Sequence, residues 1–346
     1  IHLMRNMDFN FSYWGITNMR DKIRVFEAFA GYGSQSIALR NIGVDYEVVA
    51  ISEIDKYAIM AYEAIHGPVN NLGDISKINI KDVPDHDLFT YSFPCQDLSV
   101  AGKQRGLVEG TRSSLLYECK KIIEAKKPKY LLLENVKNLV GKRFKEDFDN
   151  WLKYLESLGY NNYWKVLNAK DYGIPQSRER VFVVSILKEH DSGYSFPAPI
   201  PLNKTIFDYL ENDIEDRYRM SEKCIEKMNR YMPKNDVKPI CPTLTTELAH
   251  GTGKNSHPRI CKIINEYRQL TPLECWRLMG FSDEDFFKAK NAGISNTQLY
   301  KMAGNSIVVD VLEAILKSLF IEDHKEYEIE KVKLGSVEAD QIKWVI

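Results

Sequence analysis

Residues 24–33 have the sequence RVFEAFAGYG, in which a short apolar run ends at two glycines. Such a run is typical of a buried strand, and the glycines permit a tight turn into residues 34–42, where apolar residues recur at helical spacing. The same alternation continues to residue 187. The predicted strands are 24–29, 46–52, 88–92, 130–133, 164–167 and 181–186, and the predicted helices are 34–42, 55–66, 113–125 and 144–158. This order predicts an α/β fold with a doubly wound, mainly parallel sheet that is covered on both faces.

The second half of the chain has a different composition. Seven of the 13 prolines fall between residues 197 and 258, and helical periodicity is clear there only around 221–231. A helix over 307–319 then has the apolar face expected of an element that packs on the first half. We expect three parts: a large domain of 22–190 plus 296–321, a smaller irregular domain of 191–295, and a tail of 322–346 with no assigned role.

The composition excludes several classes of protein. The chain has 346 residues, of which 44% are hydrophobic and 27% charged, as in an ordinary globular protein. Its apolar runs are much shorter than the roughly 20 residues of a membrane helix, and we find no secretion signal. The six cysteines form no CxxC pair, which argues against a zinc site or a disulfide framework. We therefore expect a cytoplasmic protein with no metal and no membrane partner.

Charge is distributed unevenly along the second half. The formal net charge of -1 gives no indication of a nucleic-acid partner. However, residues 230–262 carry six basic against two acidic side chains, and residues 208–226 carry seven acidic against three basic ones. Such segregation can turn one basic face toward a polyanion, although a run of charge is more often a solvated surface.

Two polar turns at the tips of the first two strands indicate a cofactor site. Gly31 and Gly33 allow a ligand close to the backbone, and Glu53 lies where an acceptor for ribose hydroxyls belongs. Ser36 replaces the third glycine of the dinucleotide fingerprint, so an adenosine without a diphosphate fits better, as in S-adenosylmethionine. Asp74 and Ile75 are placed to meet its adenine. A glycine pair after a strand can also be a structural turn and nothing more.

The next strands end in reactive side chains. Cys95 follows a proline at a strand tip and opens a basic, glycine-bearing loop over 96–112 that is suited to closing over a polyanion. A thiolate beside cationic groups has a lowered pKa and is a competent nucleophile. Glu134 presents a carboxyl group at another tip, where a glutamate is usually just solvated, and Arg178 and Arg180 enter the last strand. We expect the other five cysteines to be small buried hydrophobes.

The motifs, taken in order, resemble those of the cytosine-C5 DNA methyltransferases. They begin with Phe-x-Gly-x-Gly, the strand-tip glutamate and Gly-Asp-Ile, continue with Pro-Cys-Gln, Glu-Asn-Val and Gln-x-Arg-x-Arg, and end with Arg-x-Leu-Thr-x-x-Glu and Gly-Asn-Ser. The similarity extends over residues 24–319. It implies the methyltransferase variant of the Rossmann-like fold, with S-adenosyl-L-methionine as the methyl donor and S-adenosyl-L-homocysteine as its product.

The resemblance also implies a role for each matching residue. Cys95 would attack C6 of a flipped cytosine, Glu134 would hold or protonate N3, and Arg180, supported by Arg178, would contact O2. Cofactor contacts would come from Phe29, Gly31, Gly33, Glu53, Ile54, Asp74, Ile75, Pro94 and Asn305. DNA contacts would come from Gln96, Ser99, Lys103, Arg105, Arg112, Thr243, Leu244, Thr245 and Lys254.

Other implications concern neighbouring residues and partners. Asn305 and Ser306 could instead form the N-cap of the last helix, and Asn135 would fix the loop around Pro94. The resemblance implies a monomeric enzyme of a bacterial or phage-infected cell that methylates double-stranded DNA at a specific sequence. It would act beside a restriction endonuclease or protect phage DNA. Two alternatives remain open, a methyltransferase acting on transfer RNA and a catalytically silent DNA-binding relative. The sequence Cys241-Pro242-Thr243 departs from the Cys-Phe-Thr element associated with the transfer-RNA branch.

Overall fold

The computed structural model describes residues 22–94, 115–219, 221, 222, 226, 239–246, 260–263 and 266–321. The helix predicted over 221–231 falls largely outside these residues. In the described part the strands are β1 (Ile23–Ala28), β2 (Tyr46–Ser52), β3 (Leu88–Tyr91), β4 (Tyr130–Val136), β5 (Tyr160–Asn168), β6 (Gln176–Ser177), β7 (Glu179–Leu187), β8 (Cys241–Pro242), β9 (Ile260–Ile263) and β10 (Glu266–Gln269). The helices of that part are α1 (Ser34–Asn41), α2 (Lys56–His66), α3 (Leu115–Lys126), α4 (Lys145–Ser157), α5 (Pro272–Arg277), α6 (Asp283–Asn291), α7 (Asn296–Asn305) and α8 (Val309–Phe320).

Among the described strands, six form the central sheet in the order β2-β1-β3-β4-β7-β5. Strands β1 to β4 pair in parallel, whereas β7 is antiparallel to both β4 and β5. The predicted α/β class and mainly parallel sheet are confirmed. Strands β6 and β8 form a separate two-residue parallel pair, in which Gln176 lies opposite Cys241.

Five of the six sheet strands differ at one or both ends from the predicted ranges, and the largest difference is at β5, which covers Tyr160–Asn168 instead of 164–167. Strand β1 stops at Ala28 because Phe29 has a φ of 57°, outside the range of a strand. Strand β4 continues to Val136, because the polar residues Glu134 and Asn135 still pair with Phe182 and Val181 of β7. Glu134 therefore lies within the sheet rather than beyond its tip.

The two faces of the sheet pack against different helices. Alternate strand residues such as Val25 and Leu132 face one core together with α1 and α8, whereas Phe26 and Leu131 face the other core together with α3 and α4. This is the doubly wound arrangement, in which most side chains of the central strands β1, β3 and β4 are buried. Within the described helices, none combines the length and apolar character needed to cross a bilayer.

Helices α5 to α7, from residues 272–305, pack on the same core as the sheet. Trp276 of α5 contacts Tyr32 after β1 with ring centroids 4.5 Å apart, and α6 packs along α2. A buried ion pair braces this region, in which Arg268 donates to both carboxylate oxygens of Glu274 at 2.8 and 2.6 Å. The division of the chain at residues 190 and 295 remains a prediction.

Candidate active site

A cavity of about 330 Å³ opens at the carboxyl ends of β1, β3 and β4 and extends to the end of α7. This is the edge at which open α/β sheets bind ligands. Eight of the residues expected from the sequence line it together: Phe29, Gly31, Glu53, Pro94, Glu134, Arg178, Arg180 and Asn305. The volume lies within the range of about 300–1,000 Å³ that is typical of small-molecule sites.

The turn after β1 forms one wall of the cavity. Phe29 has a φ of 57°, which is rare for a bulky side chain and indicates strain at a functional position. The Glu53 carboxylate accepts hydrogen bonds from the backbone N–H groups of Gly31 at 2.9 Å, Ile54 at 2.7 Å and Asp55 at 2.8 Å. Glu53 thus fixes the turn and places its carboxyl group at the cavity wall, where its oxygens can accept from ribose hydroxyls.

Four of the expected cofactor residues do not line this cavity. Gly33 has a φ of 86°, and a Cβ there would lie 2.3 Å from His66 Nε2, so its role in the structure is close packing against α2. Ile54 is 73% exposed, Asp74 caps the turn at Ser76, and Ile75 is buried in the core beside α3. Cofactor contacts by these four residues remain predictions.

A buried carboxyl group lies beneath the same turn. Glu27 of β1 is fully buried and accepts hydrogen bonds from Ser36 Oγ at 2.8 Å and Tyr62 Oη at 2.9 Å. Burial raises the pKa of Glu27 from its ordinary value of 4.5 to about 7, although both hydrogen bonds oppose the rise. Compared with the unfolded chain, the folded protein therefore favours the protonated carboxyl group. The stability that this preference contributes to the free energy of unfolding is fully present below pH 4.5 and is lost as the pH rises through about 7.

We expect Glu27→Gln to remove most of this pH dependence, because glutamine keeps a hydrogen-bonding group at this buried position but has no proton to lose. Between pH 5 and pH 8 the free energy of unfolding should fall by about 2 kcal/mol less in the variant than in the parent protein. Denaturant unfolding at several pH values measures this difference. Glu63→Gln, which changes an exposed carboxyl on α2, is the matched control. Parallel pH profiles of Glu27→Gln and the parent would refute the assignment.

Glu134 and Arg180 face each other across β4 and β7. The Arg180 Nε lies 3.2 Å from Glu134 Oε1, and the two side chains are 18% and 11% exposed. Burial raises the pKa of the Glu134 carboxyl, while the guanidinium groups of Arg180 and Arg178 act in the opposite direction. A carboxyl group that keeps its proton more readily than usual can donate it to a ring nitrogen.

The entrance to the predicted nucleophile loop lies beside this pair. Pro94 lines the cavity, and Asn135 Nδ2 donates to the carbonyl of Phe93 at 3.1 Å, which fixes the strand end that leads to Cys95. The predicted positioning role of Asn135 agrees with this bond. Cys95, Gln96, Ser99, Lys103, Arg105, Arg112 and Lys254 lie outside the described residues.

Arg178 is placed differently from Arg180. It is 3% exposed, and its guanidinium donates to the carbonyls of Leu244 at 2.7 Å, Gly304 at 3.0 Å and Ser306 at 2.7 Å. The side chain borders the cavity but is bound to backbone on two separate segments. Its geometry is that of a residue that positions other groups.

The expected DNA-contacting residues after β8 differ in exposure. Thr245 is exposed, and Thr243 is half-buried with its hydroxyl donating to the carbonyl of Ser177 at 2.6 Å. Leu244 is fully buried, and its N–H donates to Gln176 Oε1 at 3.1 Å. The side chain of Leu244 therefore packs in the core rather than on a surface that DNA can reach.

Comparison with known proteins identifies the family. The family described as "C-5 cytosine-specific DNA methylase" matches residues 23–321. The chain belongs to this family. It is 41% identical to Type II methyltransferase M2.ScrFI of Lactococcus lactis subsp. cremoris, over 86% of this chain and 99% of the relative. It is 36% identical to Type II methyltransferase M.Bsp6I of Bacillus sp. (strain RFL6), over 86% and 98%. The resemblance seen in the motifs is confirmed.

A solved methyltransferase structure has the same fold. The S. pombe Dnmt2 methyltransferase superposes with a TM-score of 0.68 over 86% of this chain and 98% of the other, at 24% identity. At this identity the likeness extends to the fold alone.

The family carries out methyl transfer, so S-adenosylmethionine is the cosubstrate. The described residues contain no cluster of His, Cys, Asp and Glu side chains arranged to hold a metal ion.

In this methylase, the cavity is also lined by residues that were not expected from the sequence to belong to the site. They are Ser34, Gln35, Asp55, Gln298, Lys301 and Ser306, among others. The first two begin α1 directly after the glycine turn, so their proximity to the turn was available as a signal. Lys301 could not be found in this way, because its contact with Asp55, at 2.6 Å, joins helices 246 residues apart in the chain.

The alternative role of Asn305 and Ser306 as an N-cap is wrong. The last helix of the methylase begins at Val309 with Val308 as its N-cap, whereas Asn305 ends α7 and Ser306 follows as its C-cap. The predicted helix over 307–319 therefore begins two residues later, after a short turn that separates it from α7. The turn between them faces the cavity, which leaves Asn305 as a cavity-lining residue.

Proposed function

We propose that this C-5 cytosine-specific DNA methylase transfers a methyl group from S-adenosylmethionine to C5 of a cytosine flipped out of duplex DNA, with Cys95 as the nucleophile. The observation that carries the proposal is the cavity itself. The same cavity is lined by the Glu134–Arg180 pair, by Pro94, which is the residue before Cys95, and by Glu53 and Asn305. One space thus contains groups suited to a pyrimidine and groups suited to an adenosine.

The residues present fit the proposed cosubstrate. Glu53 offers carboxylate oxygens to ribose hydroxyls. Apart from Gly31 itself and its two neighbours in the chain, no atom of the described residues lies within 4 Å of the place where a Cβ of Gly31 would be, so a ligand can approach the backbone there. Asn305 adds a polar residue to the lining of the same cavity. When bound, S-adenosylmethionine supplies an electrophilic methyl group on a sulfonium. Phe29, Gly31, Glu53, Pro94 and Asn305 would hold it.

The chain's own residues would then make the cytosine reactive. The Cys95 thiolate adds to C6, and the proton held by Glu134 passes to N3, so that electron density reaches C5. Arg180 lies beside Glu134 and can donate to O2, which disperses the charge that develops on the ring. After methylation, loss of the C5 proton to solvent restores the C5–C6 double bond and expels the Cys95 thiolate, and the proton on N3 returns to Glu134, so that neutral 5-methylcytosine is released.

Access to C6 requires the cytosine to leave the stack, at a cost of a few kcal/mol. The loop over 96–112 carries Lys103, Arg105 and Arg112 next to Cys95 in sequence, and we assign it to the DNA and to closure over the flipped base. Thr243, Thr245 and Lys254 belong to the part of the chain that we assign to target recognition. Several of the matching relatives are named type II methyltransferases and others are named orphan methyltransferases of Bacillus phages, so we propose a role in restriction-modification or in protection of phage DNA.

Methyl transfer to nucleic acid tests this proposal directly. The purified protein with radiolabelled S-adenosylmethionine should methylate duplex DNA and leave transfer RNA unlabelled. Bisulfite sequencing of DNA from cells that express the protein should then show methylcytosine at one recurrent sequence. Labelling of transfer RNA alone would favour the RNA alternative, and labelling of neither substrate would favour a silent relative.

We expect duplex DNA with 5-fluorocytosine at the target position to trap the enzyme covalently. Fluorine cannot leave C5 as a proton does, so the adduct between C6 and the Cys95 sulfur persists after methyl transfer. Denaturing electrophoresis should show a stable protein–DNA band, and peptide mass spectrometry should map it to Cys95. An adduct mapped to another cysteine would contradict the proposed nucleophile.

A further inference from the structure

Two segments of the chain meet at Arg178. The first is the Thr-Leu segment, residues 241–246, which we assign to the target-recognition part of the enzyme. The second is the cofactor-side turn, residues 304–306, which lines the cavity. They lie about sixty residues apart in the chain, so their contact depends on the folded structure.

Arg178 joins the two segments through backbone carbonyls. Its Nη1 donates to Leu244 O, and its Nη2 donates to both Gly304 O and Ser306 O. The side chain is buried, so a displacement of either segment removes partners from a buried positive charge, which is costly. Because one planar guanidinium makes all three bonds, the two segments keep a fixed separation.

Gly304 brings the same two segments into direct contact. A Cβ at this position would lie 2.4 Å from the carbonyl carbon of Thr245 and 2.5 Å from the N of Thr246. Gly304 lies within α7, where its backbone is helical, so the glycine is required for the close approach of two backbones. The last turn of α7 and the Thr-Leu segment therefore cannot move past each other independently.

Hydrogen bonds continue from the cofactor-side turn, residues 304–306, to the start of α1. Ser306 Oγ lies 2.8 Å from Ser34 Oγ, and both residues line the cavity. On the other side, Gln176 accepts from the N–H of Leu244, and β6 pairs with β8. A continuous series of hydrogen bonds thus leads from the glycine turn of the cofactor site to the backbone of the Thr-Leu segment.

We infer that Arg178 and Gly304 couple occupancy of the cofactor site to the order of the Thr-Leu segment. The inference rests on the proposed function, since it takes S-adenosylmethionine or S-adenosylhomocysteine as the ligand of the cavity. Arg178 is a positioning residue in this role. A ligand that restrains residues 304–306 also restrains residues 241–246 through the guanidinium, so the enzyme organises its recognition surface when the methyl donor is in place. By linkage, DNA that orders the segment must tighten cofactor binding by the same factor.

Amide hydrogen exchange of the whole protein with and without S-adenosylhomocysteine tests the coupling without DNA. In the parent protein, the ligand should slow exchange of the amides in residues 29–35 and, by about fivefold or more, of those in residues 241–246. In Arg178→Lys, protection of residues 29–35 should remain and protection of residues 241–246 should be lost, because an ammonium cannot span three carbonyls in the guanidinium geometry.

Gly304→Ala provides a second test that does not depend on the buried charge. Alanine is the better helix former, so loss of protection at residues 241–246 in this variant would come from the contact with Thr245 and not from a weakened helix. Arg40→Lys is the matched control, since Arg40 forms a two-pronged contact with Asp285 on α6 and touches neither segment. Thermal unfolding establishes that each variant is folded, and Gly304→Ala decides the question should Arg178→Lys not fold.

The outcomes separate this inference from the proposed function. Full protection of residues 241–246 in both variants, or none in the parent protein while residues 29–35 are protected, would overturn the coupling and leave the cofactor site intact. Protection of neither region in the parent would show that S-adenosylhomocysteine does not occupy the cavity, and would overturn both.

Discussion

Replacement of Cys95 by alanine should lower methyl transfer to duplex DNA by at least about 10³-fold, the scale of loss seen when a covalent nucleophile is removed. Without the thiolate, no bond forms at C6, and the ring carbon C5 stays too electron-poor to take the methyl group. Single-turnover assays with radiolabelled S-adenosylmethionine measure the chemical step itself. Cys95 lies outside the described residues, so this experiment tests its role by chemistry.

The variant must still fold and bind its ligands for this result to be informative. Its thermal midpoint and its dissociation constant for S-adenosylhomocysteine should match those of the parent protein, because the residues that line the described cavity are unchanged. Cys119→Ala is the matched control, since this cysteine is fully buried on α3 beneath the sheet. Turnover by Cys95→Ala at the parent rate would eliminate the covalent mechanism.

Glu134→Gln should reduce the turnover number by about 10²-fold or more, the range expected when a general acid is lost. Glutamine fills the same space between Arg180 and the cavity but has no acidic proton to pass to N3. The dissociation constant for S-adenosylhomocysteine should change by no more than about threefold, because the proposed role concerns the pyrimidine and not the cofactor. Isothermal titration and single-turnover kinetics measure the two quantities separately.

The pH profile adds a second readout at Glu134. Burial raises the pKa of this carboxyl, so the parent enzyme should lose turnover as the pH rises through that value, whereas Glu134→Gln should lack this limb. Glu156→Gln, an exposed change on α4, controls for the loss of a carboxylate. Equal losses in turnover and in cofactor affinity would assign Glu134 a structural role instead.

The sequence predicted the sheet well because its signal is local. Buried strands and amphipathic helices alternate within windows of about a dozen residues, and each of those windows carries its own periodicity. The ends were harder to place. The polar pair Glu134 and Asn135 reads as a strand tip, yet both residues pair with β7, whose residues lie over 40 positions away. A strand that ends on polar residues cannot be delimited without knowledge of its neighbour.

The sequence predicted many of the residues that line the cavity, but it did not predict the role of each of them. Glu53, Glu134 and Arg180 follow from motif order and strand position, and the cavity brings them together. Arg178 has the same signal as Arg180, but its contacts are with Gly304 and Ser306, more than 120 residues away, so its positioning role is visible only in the fold. Gly33 likewise matches a ligand-binding motif, whereas its neighbour in space is His66.

The short pair of β6 and β8 has a consequence for engineering new sequence specificities. Gln176 and Ser177 anchor residues 241–244 by the backbone pairing, the bond to the Leu244 N–H and the bond from Thr243. A chimaeric enzyme that borrows its recognition region from a relative should therefore keep residues 241–246 from the recipient and place its first junction after Thr246. Grafts that cut upstream of Cys241 would replace the docking half of this pair and yield misassembled hybrids, even when the borrowed region is itself sound.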